Sequence, residues 1–120
     1  MRSINLGQQG ERLAETYLKR NHLKLIERNS RCRFGEIDLI MLDRGVVVFV
    51  EVRLRKHTQF GTGAESVTIT KQLKLRKTAS LWLGRSRHYQ HAPCRFDVIS
   101  IDTSSEIPHC IWYKDAFRDH

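Results

Sequence analysis

Residues 35–53 hold two strand-like runs, Gly35-Glu36-Ile37-Asp38-Leu39-Ile40 and Val46-Val47-Val48-Phe49-Val50-Glu51-Val52-Arg53, separated by Arg44-Gly45. An X-Gly pair between two β-rich runs marks a two-residue hairpin loop. The loop fixes the register: Asp43 stands opposite Val46, and the same pairing carried along the strands sets Asp38 opposite Glu51 and Glu36 opposite Arg53. The stretch Val46–Val50 is apolar at every position, which marks a central strand covered on both faces. A hairpin of this kind needs layers above and below it, and the flanking sequence supplies them.

Upstream, residues 5–21 read as a helix, with Leu13, Ala14, Tyr17 and Leu18 as its apolar stripe. Gly7 and Gly10 fall within that stripe, where a missing side chain permits close backbone approach. Glu11 lies on the border of the stripe and Glu15 is turned further toward solvent. Leu23–Arg28 reads as a short first strand, followed by a polar turn over 29–33. Downstream, residues 54–69 form a loop carrying Arg55, Lys56, Phe60, Gly61 and Gly63. Thr70 is the expected N-cap of a second helix that runs to Leu83 and stops at Gly84. Its inner face carries Leu75, Ala79, Trp82, Leu83 and Gln72, with Lys74, Arg76 and Lys77 turned away. Arg95–Ile101 and Cys110–Tyr113 read as two further strands, and the tail Lys114–His120 as a short helical turn. One domain over residues 1–120 is expected, an α/β sandwich in the order α-β-β-β-α-β-β with helices flanking a mixed sheet.

Side chains directly opposite in an antiparallel pair hold their Cβ atoms roughly 4.5–5.5 Å apart, and like charges so placed destabilise a sheet. Asp38 and Glu51 therefore need a cation, a shared proton or a basic neighbour. A hard divalent ion takes oxygen ligands and satisfies both acids. Arg53, two residues beyond Glu51 and on its face, is a second source of positive charge, unless it serves Glu36. The chain carries 21 Lys and Arg against 13 Asp and Glu, a net charge of +8, which favours an anionic partner. No apolar run approaches the roughly 20 residues of a membrane span, and the polar N-terminus does not read as a signal peptide. Three widely spaced cysteines, Cys32, Cys94 and Cys110, suit reduced thiols in a cytoplasmic protein better than a disulfide framework or a zinc site. His88 and His91 are too isolated to mark a metal site and read as a polar loop.

An Asp on the second strand followed by Glu-x-Arg on the third resembles the PD-(D/E)XK superfamily, the restriction-endonuclease-like fold. From Gly7 to Asp97 the chain is more closely similar to the YraN-like family of bacterial proteins. The motifs that carry the likeness are Gly10-Glu11 with Ala14 and Leu18, Arg28-Asn29, Gly35 to Ile40, Phe49-Val50-Glu51-Val52, Phe60-Gly61, Lys71 and Arg95-Phe96-Asp97-Val98. The resemblance implies a nuclease that hydrolyses phosphodiester bonds in DNA with Mg²⁺ or Mn²⁺, with branched or flapped DNA suggested by a likeness to Holliday-junction resolvases. It implies Asp38, Glu51 and the Val52 carbonyl as metal ligands, with Glu11, Arg53 and Gln72 completing the catalytic set. Arg55, Lys56, Lys71 and Lys74 are the cations expected against phosphates, and neither a membrane nor a small-molecule cofactor is implied. One position departs from the superfamily pattern: the signature lysine is Arg53 here. Arginine is always protonated and cannot act as a general base, although its planar fork still holds phosphate. Two other functions stay open on the residues alone. One is a nucleic-acid-binding protein whose nuclease fold has lost efficient chemistry at Arg53, the other a small adaptor for a protein partner.

Overall fold

The Arg44-Gly45 loop adopts φ of 51° and 87°, the paired positive values of the hairpin turn whose twist matches its strands. In the computed structural model, which describes residues 6–55 and 67–117, that hairpin is the centre of a five-stranded sheet. Helix α1 (Leu6–Arg20) leads into β1 (Lys24–Cys32), β2 (Gly35–Asp43) and β3 (Val46–Arg55). Helix α2 (Ile69–Arg85) follows, then β4 (Cys94–Asp102) and β5 (His109–Tyr113). The strands lie side by side in chain order. All neighbouring pairs are antiparallel except β3 and β4, which run parallel and are joined by the crossover through α2.

Covering both faces of the sheet explains the unbroken apolar run in β3. Val47 and Phe49 pack with Ile40, Phe96 and Val98 under Leu75 and Ala79 of α2. Val48 and Val50 pack with Leu39, Met41, Ile99 and Ile101 under Ala14 and Leu18 of α1. The sandwich expected from the sequence is thus the fold observed.

Several local expectations are corrected. Strand β1 continues through the segment read as a polar turn, and the true turn is Arg33-Phe34. A bulge between Leu25 and Glu27 and a left-handed Asn29 (φ 49°) let this polar stretch stay paired. The cap of α2 is Thr68, in extended conformation, with Oγ1 accepting the Lys71 N–H at 3.2 Å. The helix passes Gly84 and stops at Ser86, whose N–H donates to the Leu83 carbonyl. Leu13 is 39% exposed, whereas Glu15 is buried and grips Arg28 of β1 through both carboxylate oxygens, at 2.6 and 2.9 Å. Arg76 is not a solvated residue either: its guanidinium lies over the rings of Phe96 and Phe117 and donates to the Phe117 carbonyl. In the tail, Lys114 and Asp115 make a turn that tucks Phe117 into the α2-side core.

Candidate functional site

The register read from the hairpin holds from Asp43↔Val46 up to Leu39↔Val50, and there the β2–β3 ladder ends. One residue further, the Asp38 carboxylate takes the backbone's place: Oδ2 accepts the Val52 N–H at 2.8 Å. Ile37 and Ile40 consequently pack into the same core layer, although strict alternation would put them on opposite faces. Asp38 and Glu51 are therefore neighbours across a splayed fork rather than a regular cross-strand pair. Strand β3 continues beyond the fork, paired with β4 as far as Arg55↔Asp102.

The fork opens two cavities, and Asp38 borders both. The larger, about 450 Å³, is lined by Glu36, Asp38 and Glu51 from the sheet, by Phe34 and Gly35 at the β1–β2 turn, and by Thr70, Lys71 and Lys74 from α2. The smaller, about 300 Å³, lies between Gly7 and Glu11 of α1 and Val52, Arg53 and Leu54 of β3. Gly10 sits at this contact, and a Cβ there would stand 3.1 Å from Leu54 Cδ2, which accounts for glycine on the inner face of α1.

Carboxylate oxygens of Glu11, Glu36 and Asp38 lie within 4.8 Å of one another. Asn29 ties two of them, donating from Nδ2 to Glu11 and, at 3.0 Å, to Glu36. Glu36 stands opposite Arg31 of β1, with their charged groups 3.4 Å apart, and the β2–β3 ladder ends before it would face Arg53. Glu51, only 4% exposed, lies 2.7 Å from Lys71 Nζ and 3.6 Å from Arg53 Nη1. Burial, reinforced by the Glu51 charge, pushes the Asp38 carboxyl up to about 7. The Val52 N–H opposes that shift, and Glu11 and Glu36 add to it.

Asp38 shares the larger cavity with Glu51 and the smaller with Glu11, Val52 and Arg53, while the acids whose oxygens cluster with its own are Glu11 and Glu36 rather than the expected Glu51. Gln72 is directed elsewhere: its Nε2 donates to the Val67 carbonyl at 3.0 Å, fastening the chain that enters α2. The polar side chain that α2 delivers to the carboxylates is Lys71. Arg55 ends β3, and Lys56 lies outside the described residues together with Phe60, Gly61 and Gly63. Lys74 is exposed and borders the larger cavity. Sequence reasoning missed Glu36 as a member of the acidic group, although its spacing of two from Asp38 was the available signal. It also missed Asn29, whose role depends on a left-handed backbone that the sequence does not announce.

A mixed five-stranded sheet between α1 and α2, with acids at the fork of its central hairpin, defines an α/β sandwich of restriction-endonuclease-like topology. The family comparison agrees with the likeness drawn from the motifs. Residues 10–101 match the model of uncharacterised protein family UPF0102, and the chain belongs to that family. A UPF0102 protein of Photobacterium profundum is 53% identical over 82% of both chains. Those of Stutzerimonas stutzeri and Nitrosococcus oceani are each 46% identical, the former over 97% of both chains and the latter over 93% of this chain and 90% of the relative. No described helix is long and apolar enough to cross a membrane.

Proposed function

We propose that this protein is a metal-dependent nuclease that hydrolyses phosphodiester bonds in DNA. The observation that carries the reading is the clustering of Glu11, Glu36 and Asp38, with Glu51 beside Asp38 in the larger cavity, in a chain whose net charge is +8. Burial first, and then the neighbouring Glu51, Glu11 and Glu36 charges, raise the Asp38 carboxyl, and a bound cation would offset both. An all-oxygen donor set of this kind suits Mg²⁺ or Mn²⁺. Asp38 with Glu11 and Glu36 would hold the ion, and Glu51 and the Val52 carbonyl lie at the same fork as further oxygens. A bound divalent ion supplies Lewis-acid neutralisation of phosphoryl charge and acidifies water.

The chain's own residues supply the rest. Glu51 holds the Lys71 ammonium, which has three donors and no lone pair, so Lys71 serves as a charge donor to phosphate oxygens rather than as a base. This places an ammonium beside the acids even though the signature position on β3 is Arg53. Arg53, whose guanidinium lies 3.6 Å from the same Glu51 oxygen, orients a phosphate through its planar fork.

The same contacts support a second reading. Lys71 and Arg53 partly balance Glu51 without any metal, as a nucleic-acid-binding protein with a quiet site would require.

Incubating the protein with linear, single-stranded, flapped and four-way DNA in Mg²⁺, Mn²⁺ or EDTA separates the two. Cleavage is expected with either metal, none in EDTA, and none in Asp38→Ala. Lys71→Ala should lower the rate roughly 10²–10³-fold, the usual effect of removing one preorganised charge donor. Arg53→Lys should retain activity. Binding without cleavage on every substrate would establish the second reading instead.

A further inference from the structure

The turn Arg33-Phe34 places an aromatic ring at the tip of a two-residue hairpin, where small and polar residues are the rule. Phe34 is half-buried and joins neither core layer among the described residues. It borders the larger cavity, on whose wall Glu51 and Lys71 stand. The turn is fixed against α2: Cys32 Sγ lies 3.5 Å from Thr78 Oγ1 and accepts the Phe34 N–H at 3.3 Å. Two cations lie over the ring, the Arg33 guanidinium 4.9 Å and the Lys77 ammonium 5.4 Å from its centroid, and a base would stack on the ring in place of one of them. Lys71, Lys74 and Lys77 recur every three residues along α2, the spacing of one helix face. They make a positive stripe about 9 Å long at 1.5 Å per residue. The stripe leads from the acidic fork to Phe34.

An aromatic ring beside a track of cations is the arrangement that holds a single strand, with phosphates on the cations and a base on the ring. The guanidinium plane of Arg33 extends the stack, since bases pack on arginine as they do on aromatics. A base inside a duplex offers no free face, so an unpaired nucleotide is required. A cavity of about 450 Å³ is within the size of sites that enclose small organic ligands. We infer that Phe34 is a stacking platform for an unpaired nucleobase and that Lys74 and Lys77 hold the phosphates beside it, which makes single-stranded or frayed nucleic acid the substrate class. The inference rests on the nuclease reading only for where the strand is cut.

The test measures binding by fluorescence anisotropy in EDTA, so that no cleavage intervenes. The probes are a labelled oligothymidine, the same backbone made of abasic residues, and a duplex of equal length. Native protein should prefer the base-bearing single strand over both. Phe34→Leu, which keeps the turn apolar, should weaken binding to that strand roughly five- to hundred-fold and leave the abasic backbone unaffected. Phe34→Trp should restore binding. Equal melting temperatures of the variants exclude unfolding as the cause. Equal binding of base-bearing and abasic strands, or an unaltered affinity in Phe34→Leu, would overturn the inference. If Phe34→Leu still cleaves duplex DNA at the native rate and binds single strands as the native protein does, the inference fails and the nuclease reading stands. If Phe34 governs single-strand binding but no substrate is cut, the nuclease reading fails and the platform stands.

Discussion

Asp38 meets two demands that conflict. Its carboxylate substitutes for a backbone acceptor at the fork, which favours the charged form, yet burial and Glu51 disfavour that form more strongly. With its value raised from 3.8 to about 7, the folded protein keeps a proton that the unfolded chain has released between those limits. Stability must then fall as pH rises from about 4 to about 7 and level off above, because the unfolded state binds fewer protons throughout that window. At about 1.4 kcal/mol per pKa unit, the fully developed cost is on the order of a few kcal/mol. Asp38→Asn keeps an oxygen for the Val52 N–H and removes the charge. In EDTA it should melt well above the native protein at pH 8 and close to it at pH 4.5. Millimolar Mn²⁺ should raise the native melting temperature at pH 8 by mass action and leave Asp38→Asn unmoved. Coincident melting curves for the two proteins at pH 8, with and without Mn²⁺, would dismiss both the strained carboxyl and the metal.

Between elements, the sequence was legible where one local signal decides the outcome. Arg44-Gly45 alone set the register of β2 and β3, and the apolar run Val46–Val50 alone placed β3 at the centre. It was illegible where a partner from another element decides. Nothing local says that the ladder ends at Leu39, because the competing acceptor is the Asp38 side chain. Thr68 and Thr70 are equally good caps by composition, and the path of the chain entering α2 selects Thr68. Glu15 reads as solvated on a helical projection because the projection omits Arg28, which reaches it from β1. The Arg28 and Lys19 contacts, outweighing burial, hold the Glu15 carboxyl down to about 2. A lowered value contributes stability that is complete above the ordinary 4.5 and is lost as pH falls toward 2, the opposite sense to Asp38. Glu15→Gln should therefore cost roughly 1–2 kcal/mol at pH 6, between the worth of an exposed ion pair and that of a charged hydrogen bond. The loss should shrink toward pH 2. Urea unfolding at both pH values measures it, and a loss that persists undiminished at pH 2 would mean that packing rather than charge is responsible.

Across the whole molecule, the acids of the fork stand out against a surplus of positive charge, and α2 shows how the two are reconciled. Apolar spacing turns Lys74 and Lys77 away from the core and says no more of them, because it identifies only the side of a helix that meets a core. The expectation of Lys71 and Lys74 against phosphates comes from the family likeness. Lys71 is half-buried at the cavity, while Lys74 and Lys77 are exposed, Lys74 bordering the cavity and Lys77 lying over Phe34, so the same helix packs on the sheet and borders the site. A strand bound along this stripe displaces counterions, and its affinity falls linearly with salt on logarithmic axes. Each phosphate contact contributes a slope of about −0.9 on duplex DNA and about −0.7 on a single strand. The double substitution Lys74→Ala with Lys77→Ala should reduce the slope by about 1.4 on a single strand, two contacts' worth, and weaken binding to every sequence alike. Neutralising Arg55 and Lys56 should also act on all sequences equally. Titrating an oligothymidine and a mixed-sequence strand of equal length against each variant, from low to physiological salt, gives both quantities. An unchanged slope would remove Lys74 and Lys77 from the path of the strand. A loss confined to one sequence would mean that the stripe reads bases, and the division of labour between a sequence-blind track and a stacking ring would have to be abandoned.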